Sequence, residues 1–256
     1  MTKMTGALAL IALVLLSPTV KAQDFKIPVP AGATISLQDF PGDVPIEGYS
    51  GSDVIIGGQE AVQIPDRAKG LKPIYPGGED NTGHGVSVVK NGDQITIRYL
   101  LPLTQEPRSY KIRVPESVYL KFKSGCERQT NLSLSNLKGE VDADVCGNIK
   151  LKNVTGPLVL STISGNVEVV FSSVSKDKPI SIAAISGEID VTLPASTPAN
   201  IEMSAMSGNM YSDFDFHSDD KNMKHVGGGA INTQINGGGV DIKLRSISGN
   251  IYLRKG

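Results

Sequence analysis

STISGNVEVV, Ser161–Val170, decides the fold because it returns three times downstream. It recurs as AAISGEIDVT from Ala183, SAMSGNMYSD from Ser204 and RSISGNIYLRKG from Arg245. Each copy obeys one template, seen in LVLSTISGNVEV, ISIAAISGEIDV, IEMSAMSGNMYS and IKLRSISGNIYL. Two apolar residues alternate, two small or polar residues follow, an apolar residue precedes Ser-Gly, and alternation resumes. Strand side chains alternate between faces, so Leu158/Leu160, Ile180/Ile182, Ile201/Met203 and Ile242/Leu244 are expected to point inward. The next apolar positions, Ile163, Ile185, Met206 and Ile247, lie three residues further on. Placing them inside as well requires a bend before them. A second corner at the glycine then returns Val167/Val169, Ile189/Val191 and Ile251/Leu253 to the interior.

The glycines Gly125, Gly147, Gly165, Gly187, Gly208 and Gly249 are separated by 22, 18, 22, 21 and 41 residues. The last interval reads as two coils, with VGGGA (Val226–Ala230) near the missing midpoint. A period of about 21 residues belongs to repeat architectures in which stacked units bury one continuous column. The expected fold is all-β: a single-stranded right-handed β-solenoid, parallel β-helix-like, with a less regular N-terminal part. Residues 121–256 hold the regular coils and 23–120 the irregular ones. There FKIPV, TISLQ, VPIEGYSGSDVII, QITIRYL and YKIRVP read as strands, and NGD at Asn91–Asp93 as a hairpin turn.

The position after each glycine holds Asn148, Asn166, Glu188, Asn209 or Asn250, which predicts an amide ladder from coil to coil. The next outward column is mixed and ends in Tyr211 and Tyr252, marking an interaction surface near the C-terminal coils. Cys126 and Cys146 lie 20 residues apart, nearly one coil. Spacing alone leaves a disulfide and two buried thiols both open.

Residues 1–22 read as a signal peptide. Lys3 gives the charged start, ALALIALVLL (Ala7–Leu16) the apolar run, and VKA a cleavage site before Gln23. The run is too short to span a bilayer, which takes about 20 residues. Export to periplasm, cell surface or medium is therefore expected, with no transmembrane segment after cleavage and a retained membrane anchor as the minor alternative. Loss of Lys3 and Lys21 leaves 23 basic residues against 26 acidic ones. That balance gives no electrostatic reason for a nucleic-acid partner.

IEGYSGSDVIIGG, EDNTGHGVSV, the ISGN/ISGE rungs and INGGGVDIKLRSISGNIYLRKG resemble, in that order, the bacterial putative-adhesin family. This is a domain of unknown function built as a β-solenoid, and the likeness covers most of residues 24–256. The resemblance implies an exported or envelope-associated protein and supplies no catalytic or ligand residues.

Other chemistry finds little footing. DFDFHSDDKNMKH, Asp213 to His225, offers oxygen and nitrogen donors, but at neither zinc nor calcium-loop spacing, so a charged loop is expected. His84 is a lone loop histidine. The ISG serines lack the G-x-S-x-G elbow and a histidine partner. No cofactor fingerprint occurs, so no catalytic, cofactor-binding or metal residue is assigned. The expected function is a non-enzymatic, adhesin-like envelope scaffold that presents a rigid surface to an unknown protein or glycan. Two alternatives stand beside it. One is a polysaccharide lyase or hydrolase using Glu168 and Asp190, and the other a self-assembling filament subunit whose end strand is blunted by Arg254 and Lys255.

Overall fold

In a computed structural model of the chain, the described residues are 24–58, 62, 65–104, 108–176, 178–216 and 229–256. They form two ten-stranded sheets and, beyond strands, only two single 3-10 turns at Asp66–Ala68 and Cys126–Arg128. The first sheet runs β1 (Phe25–Pro28), β4 (Asp53–Gly57), β7 (Lys111–Pro115), β3 (Asp43–Tyr49), β9 (Asn131–Ser135), β11 (Ile149–Val154), β13 (Val167–Phe171), β15 (Ile189–Leu193), β20 (Ile251–Lys255), β17 (Met210–Ser212). The second runs β18 (Ala230–Ile235), β16 (Ala199–Ser207), β19 (Val240–Ser248), β14 (Ile180–Ser186), β12 (Leu158–Ser164), β10 (Val141–Val145), β8 (Tyr119–Lys123), β2 (Thr34–Gln38), β6 (Gln94–Tyr99), β5 (Val86–Asn91).

Consecutive strands alternate between the two sheets through most of the chain, and one strand from each makes a rung. Neighbouring rungs pair in parallel and in register, Val141 with Leu158 in one sheet and Ile149 with Val167 in the other. The inward side chains of both sheets merge into one core. Leu158, Leu160, Val167, Val169, Ile251 and Leu253 are all buried, as alternation requires. Full burial of each such side chain stabilises the fold by roughly 1.5–3 kcal/mol.

Glycine is required at the corners because successive rungs nearly touch there. A Cβ on Gly187 would stand 1.9 Å from the Gly165 carbonyl oxygen, and one on Gly249 2.0 Å from that of Gly187. The amide ladder lies beside this column. Asn148 Oδ1 accepts from the Asn166 backbone N–H at 2.8 Å, and Asn166 Oδ1 from that of Glu188 at 2.9 Å.

Three expectations are corrected. First, no bend separates Leu160 from Ile163. Each strand continues with period two, so Thr162, Ala184, Ala205 and Ser246 fill the inward slots. Ile163, Ile185, Ile247 and Met206 line up in one file, but outside, with 44%, 47%, 42% and 67% of their surface exposed. Near the glycine corner the rungs leave room only for small side chains, some of them polar. The Thr162 hydroxyl donates to the Gly147 carbonyl at 2.7 Å and the Ser246 hydroxyl to that of Gly187 at 3.1 Å.

Second, the rungs do not follow chain order at either end. β19/β20 inserts between β14/β15 and β16/β17, and β2/β3 lies inboard of β6/β7. The final strand is therefore no edge, and Arg254 and Lys255 do not blunt one. Third, the 41-residue interval holds an antiparallel strand, β18, paired with β16, where a coil was expected. Part of VGGGA (226–228) lies outside the described residues. Antiparallel strands also close the opposite end, where β5 pairs β6 across the predicted Asn91–Asp93 turn and β4 pairs β7.

Candidate functional site

The outer face of the first sheet gathers the polar residues that the alternation sends outward. In one row Pro45, Ser133, Lys150, Glu168, Asp190, Tyr252 and Tyr211 sit side by side on successive rungs. A parallel row two residues on carries Glu47, Ser135 and Lys152. Each strand from β3 to β20 pairs on both sides, so that stretch of the face presents side chains and no free backbone edge, while β17 is the terminal strand of the sheet.

At one end, the two tyrosines picked out from sequence come together. The Tyr211 and Tyr252 rings stack with centroids 5.3 Å apart and planes 12° from parallel. The Tyr252 hydroxyl donates to Glu188 Oε1 at 3.2 Å, and the Arg254 guanidinium lies 5.2 Å from its ring centroid. Tyr211, half exposed, forms one wall of a cleft of about 190 Å³ with Asp213 and Arg254. Glu168 and Asp190 are neighbours in the same row, as the lyase or hydrolase alternative needs, but each is held by a cation. Lys150 Nζ pairs with Glu168 at 2.5 Å, and Arg254 Nε donates to Asp190 Oδ1 at 2.8 Å. The hydrogen bond to Asp190, reinforced by opposite charge, raises the Arg254 pKa further.

At the other end lies a larger cleft of about 490 Å³. Lys111 and Arg113 of β7 line one side, Lys150 and Lys152 of β11 the other. Between them run β3 and β9, whose outward residues within the cleft are Pro45, Glu47, Ser133 and Ser135. Sequence reading did not single this cleft out. Its only local trace is the cation–apolar–cation pattern of KIR at 111–113 and KLK at 150–152. Nothing local shows that three rung spacings would separate those strands.

The remaining candidates are dispersed. Cys126 and Cys146 are joined by a disulfide, with Cα atoms 4.9 Å apart, at the corner before Gly147. Of the Asp213–His225 segment, residues 217–225 lie outside the described residues. Asp213 Oδ1 accepts from the Lys255 backbone N–H at 2.7 Å, and Asp215 pairs with Lys255 Nζ at 3.6 Å. His84 is buried, and its backbone carbonyl accepts the Tyr110 hydroxyl at 2.7 Å. The turn before it is fastened by Asp80, whose carboxylate accepts from the backbone N–H groups of Thr82, Gly83 and Gly85. That is a structural role for EDNTGHG.

The profile of the family Toastrack DUF4097 matches residues 116–254. Among solved structures, the chain is similar to a putative cell adhesion protein from Clostridium sporogenes. That match has 15% identity and a TM-score of 0.44, and covers 92% of this chain and all of that one. A putative adhesin from Parabacteroides merdae matches at 11% identity and a TM-score of 0.22, over 92% of this chain and 97% of that one. No curated protein matches.

Proposed function

The chain belongs to the Toastrack DUF4097 family, and from that premise we propose that it is a non-enzymatic, exported cell-envelope protein. It is an adhesin-like scaffold, and it binds another macromolecule through the outer face of its first sheet. In this reading the two sheets are walls of one solenoid-like stack, and residues 1–22 are a signal peptide. The observation that supports the reading most is the register of that face. Five consecutive parallel rungs, from β9 to β20, align rows of polar and aromatic side chains over a core that fixes every strand. Repeat stacks suit such work, because each rung is stabilised by its neighbours while the surface grows long and flat. Among the described residues no helix is long and apolar enough to cross a membrane.

The lyase or hydrolase alternative draws less support, because its carboxylate pair is engaged by Lys150 and Arg254. Filament growth draws less as well, since antiparallel strands β5, β4 and β18 occupy three of the four positions where a further parallel rung would add, β17 being the fourth.

The test is a binding screen of the exported form against glycans and envelope proteins, with Tyr211→Ala/Tyr252→Ala as the variant. Binding lowered at least about tenfold, with an unchanged melting temperature, places the partner on the tyrosine end of this face. Mass analysis of the exported product is expected to show a chain starting at Gln23.

A further inference from the structure

We infer that the cleft between β7 and β11 is a subsite for an acidic polysaccharide, a sugar chain bearing carboxylates among its hydroxyls. The inference rests on the scaffold reading and names the class of ligand that one part of its face would take.

Strands about 4.8 Å apart put β7 and β11, three spacings from one another, at roughly 14 Å. Within that width the short side chains of Pro45, Ser133 and Ser135 make the floor of a trough of about 490 Å³. Its walls carry four cations. No carboxylate among the described residues lies within ion-pairing distance of Lys111, Arg113 or Lys152. Arg113 instead sits 5.5 Å from the Tyr49 ring centroid. Three cations without acidic partners around one recess favour an anionic occupant.

The other polar groups narrow the class. Glu47 and Asp24 also line the cleft. A ligand that is only a polyanion would be repelled by them, whereas sugar hydroxyls donate to carboxylates. Serine hydroxyls both donate and accept, which suits a chain rich in hydroxyls. Extended peptides are commonly captured by adding a strand to a free edge, and β3 and β9 have none. A flat lipid surface would rest on the lysine walls without reaching the serine floor.

The test uses the exported chain with polygalacturonate as probe, against dextran, polyglutamate and anionic phosphatidylglycerol vesicles, by titration calorimetry. Polygalacturonate is expected to bind, dextran to bind at least tenfold more weakly, and affinity to fall as salt rises. Lys111→Glu/Lys152→Glu should weaken it at least tenfold, and the milder Lys111→Met/Lys152→Met several-fold, both with unchanged melting curves. Lys243→Met, on β19 of the second sheet, should leave it unchanged. The assignment is overturned if polygalacturonate fails to bind or binds the charge-reversed variant equally well. It is likewise overturned if polyglutamate or vesicles bind as tightly. Envelope binding that is lost in the tyrosine variant but survives charge reversal overturns the cleft assignment and leaves the scaffold reading standing.

Discussion

Thr162 donates its hydroxyl to the carbonyl oxygen of Gly147 one rung away, at 2.7 Å. Ser246 does the same to Gly187, so a buried hydroxyl serves a glycine corner at two separate rungs. These part-buried carbonyls sit where the backbone leaves its ladder to turn, and acceptors shielded from water there still need a donor. The small polar residue in the repeat therefore has an internal role, and the apolar residue after it goes outside.

Thr162→Val keeps the volume and removes the donor. The variant should lose about 1–2 kcal/mol, the cost of a part-buried carbonyl left without its partner. Ser161→Ala, one residue away and facing outward, should change stability by less than about 0.5 kcal/mol. Urea unfolding of both variants measures the difference.

Gly187→Ala forces a methyl group towards the Gly165 carbonyl, where the available distance is 1.9 Å. Because the obstacle is backbone, the rungs must separate. A loss of about 2–4 kcal/mol is expected. Gly92→Ala is the control for space, since nothing lies within 4 Å of a Cβ there. It carries only the strain of a positive φ and should cost less than Gly187→Ala in the same melt.

Ile185→Ser should cost less than about 1 kcal/mol, because the side chain is nearly half exposed. Ile182→Ala, three residues earlier and fully inside, should cost about 2–5 kcal/mol. If the two losses were found in the opposite order, the outward placement of the Ile163–Ile185–Ile247–Met206 file would be wrong.

Cys126→Ser/Cys146→Ser should lower stability by roughly 2–4 kcal/mol, as expected for releasing a closed loop of this size. Intact mass under non-reducing conditions should be two hydrogens below that of the reduced chain. Reduction of the unmodified protein should reproduce the variant's melting temperature.

Alkaline pH should destabilise the fold through Tyr110. Burial is the main cause that raises its hydroxyl pKa well above the usual 10.0, and its proton is donated to the His84 carbonyl. The unfolded chain therefore releases this proton first. Stability is full below pH 10 and falls as pH rises through the interval between the unfolded and folded values. Tyr110→Phe starts less stable but should lose less between pH 9 and 11, as read by urea midpoints.

Much of the rung architecture was legible because it obeys a period of two. Leu158/Leu160 and Val167/Val169 face inward as their alternation says. The Asn148–Asn166 ladder follows because equivalent positions on stacked strands must be neighbours. Apolar character alone predicts Ile163 inside, but strand parity outweighs it and places the residue outside. In the structure the tight glycine corner wins, leaving room for threonine, serine or alanine alone. The order of the rungs was not legible at all. Pairing of β20 with both β15 and β17 depends on contacts among strands that share one template, and such strands can exchange places without violating any local pattern. The β7–β11 cleft stayed hidden for the same reason. Tyr211 and Tyr252 were found because both occupy one position of the repeat, which holds wherever the rungs land.

The displaced C-terminal rung constrains how the molecule can be made. A chain emerging from the ribosome N-terminus first has residues 199–212 available well before residues 240–255, yet the later segment separates the earlier one from the body. β16 can lie provisionally against β14, and must then yield its place, or it waits without a partner until β19 arrives. Assembly at this end is thus a late insertion rather than winding in order of synthesis. Shortening the chain by its last 17 residues would leave β16 and β17 without the rung they rest on.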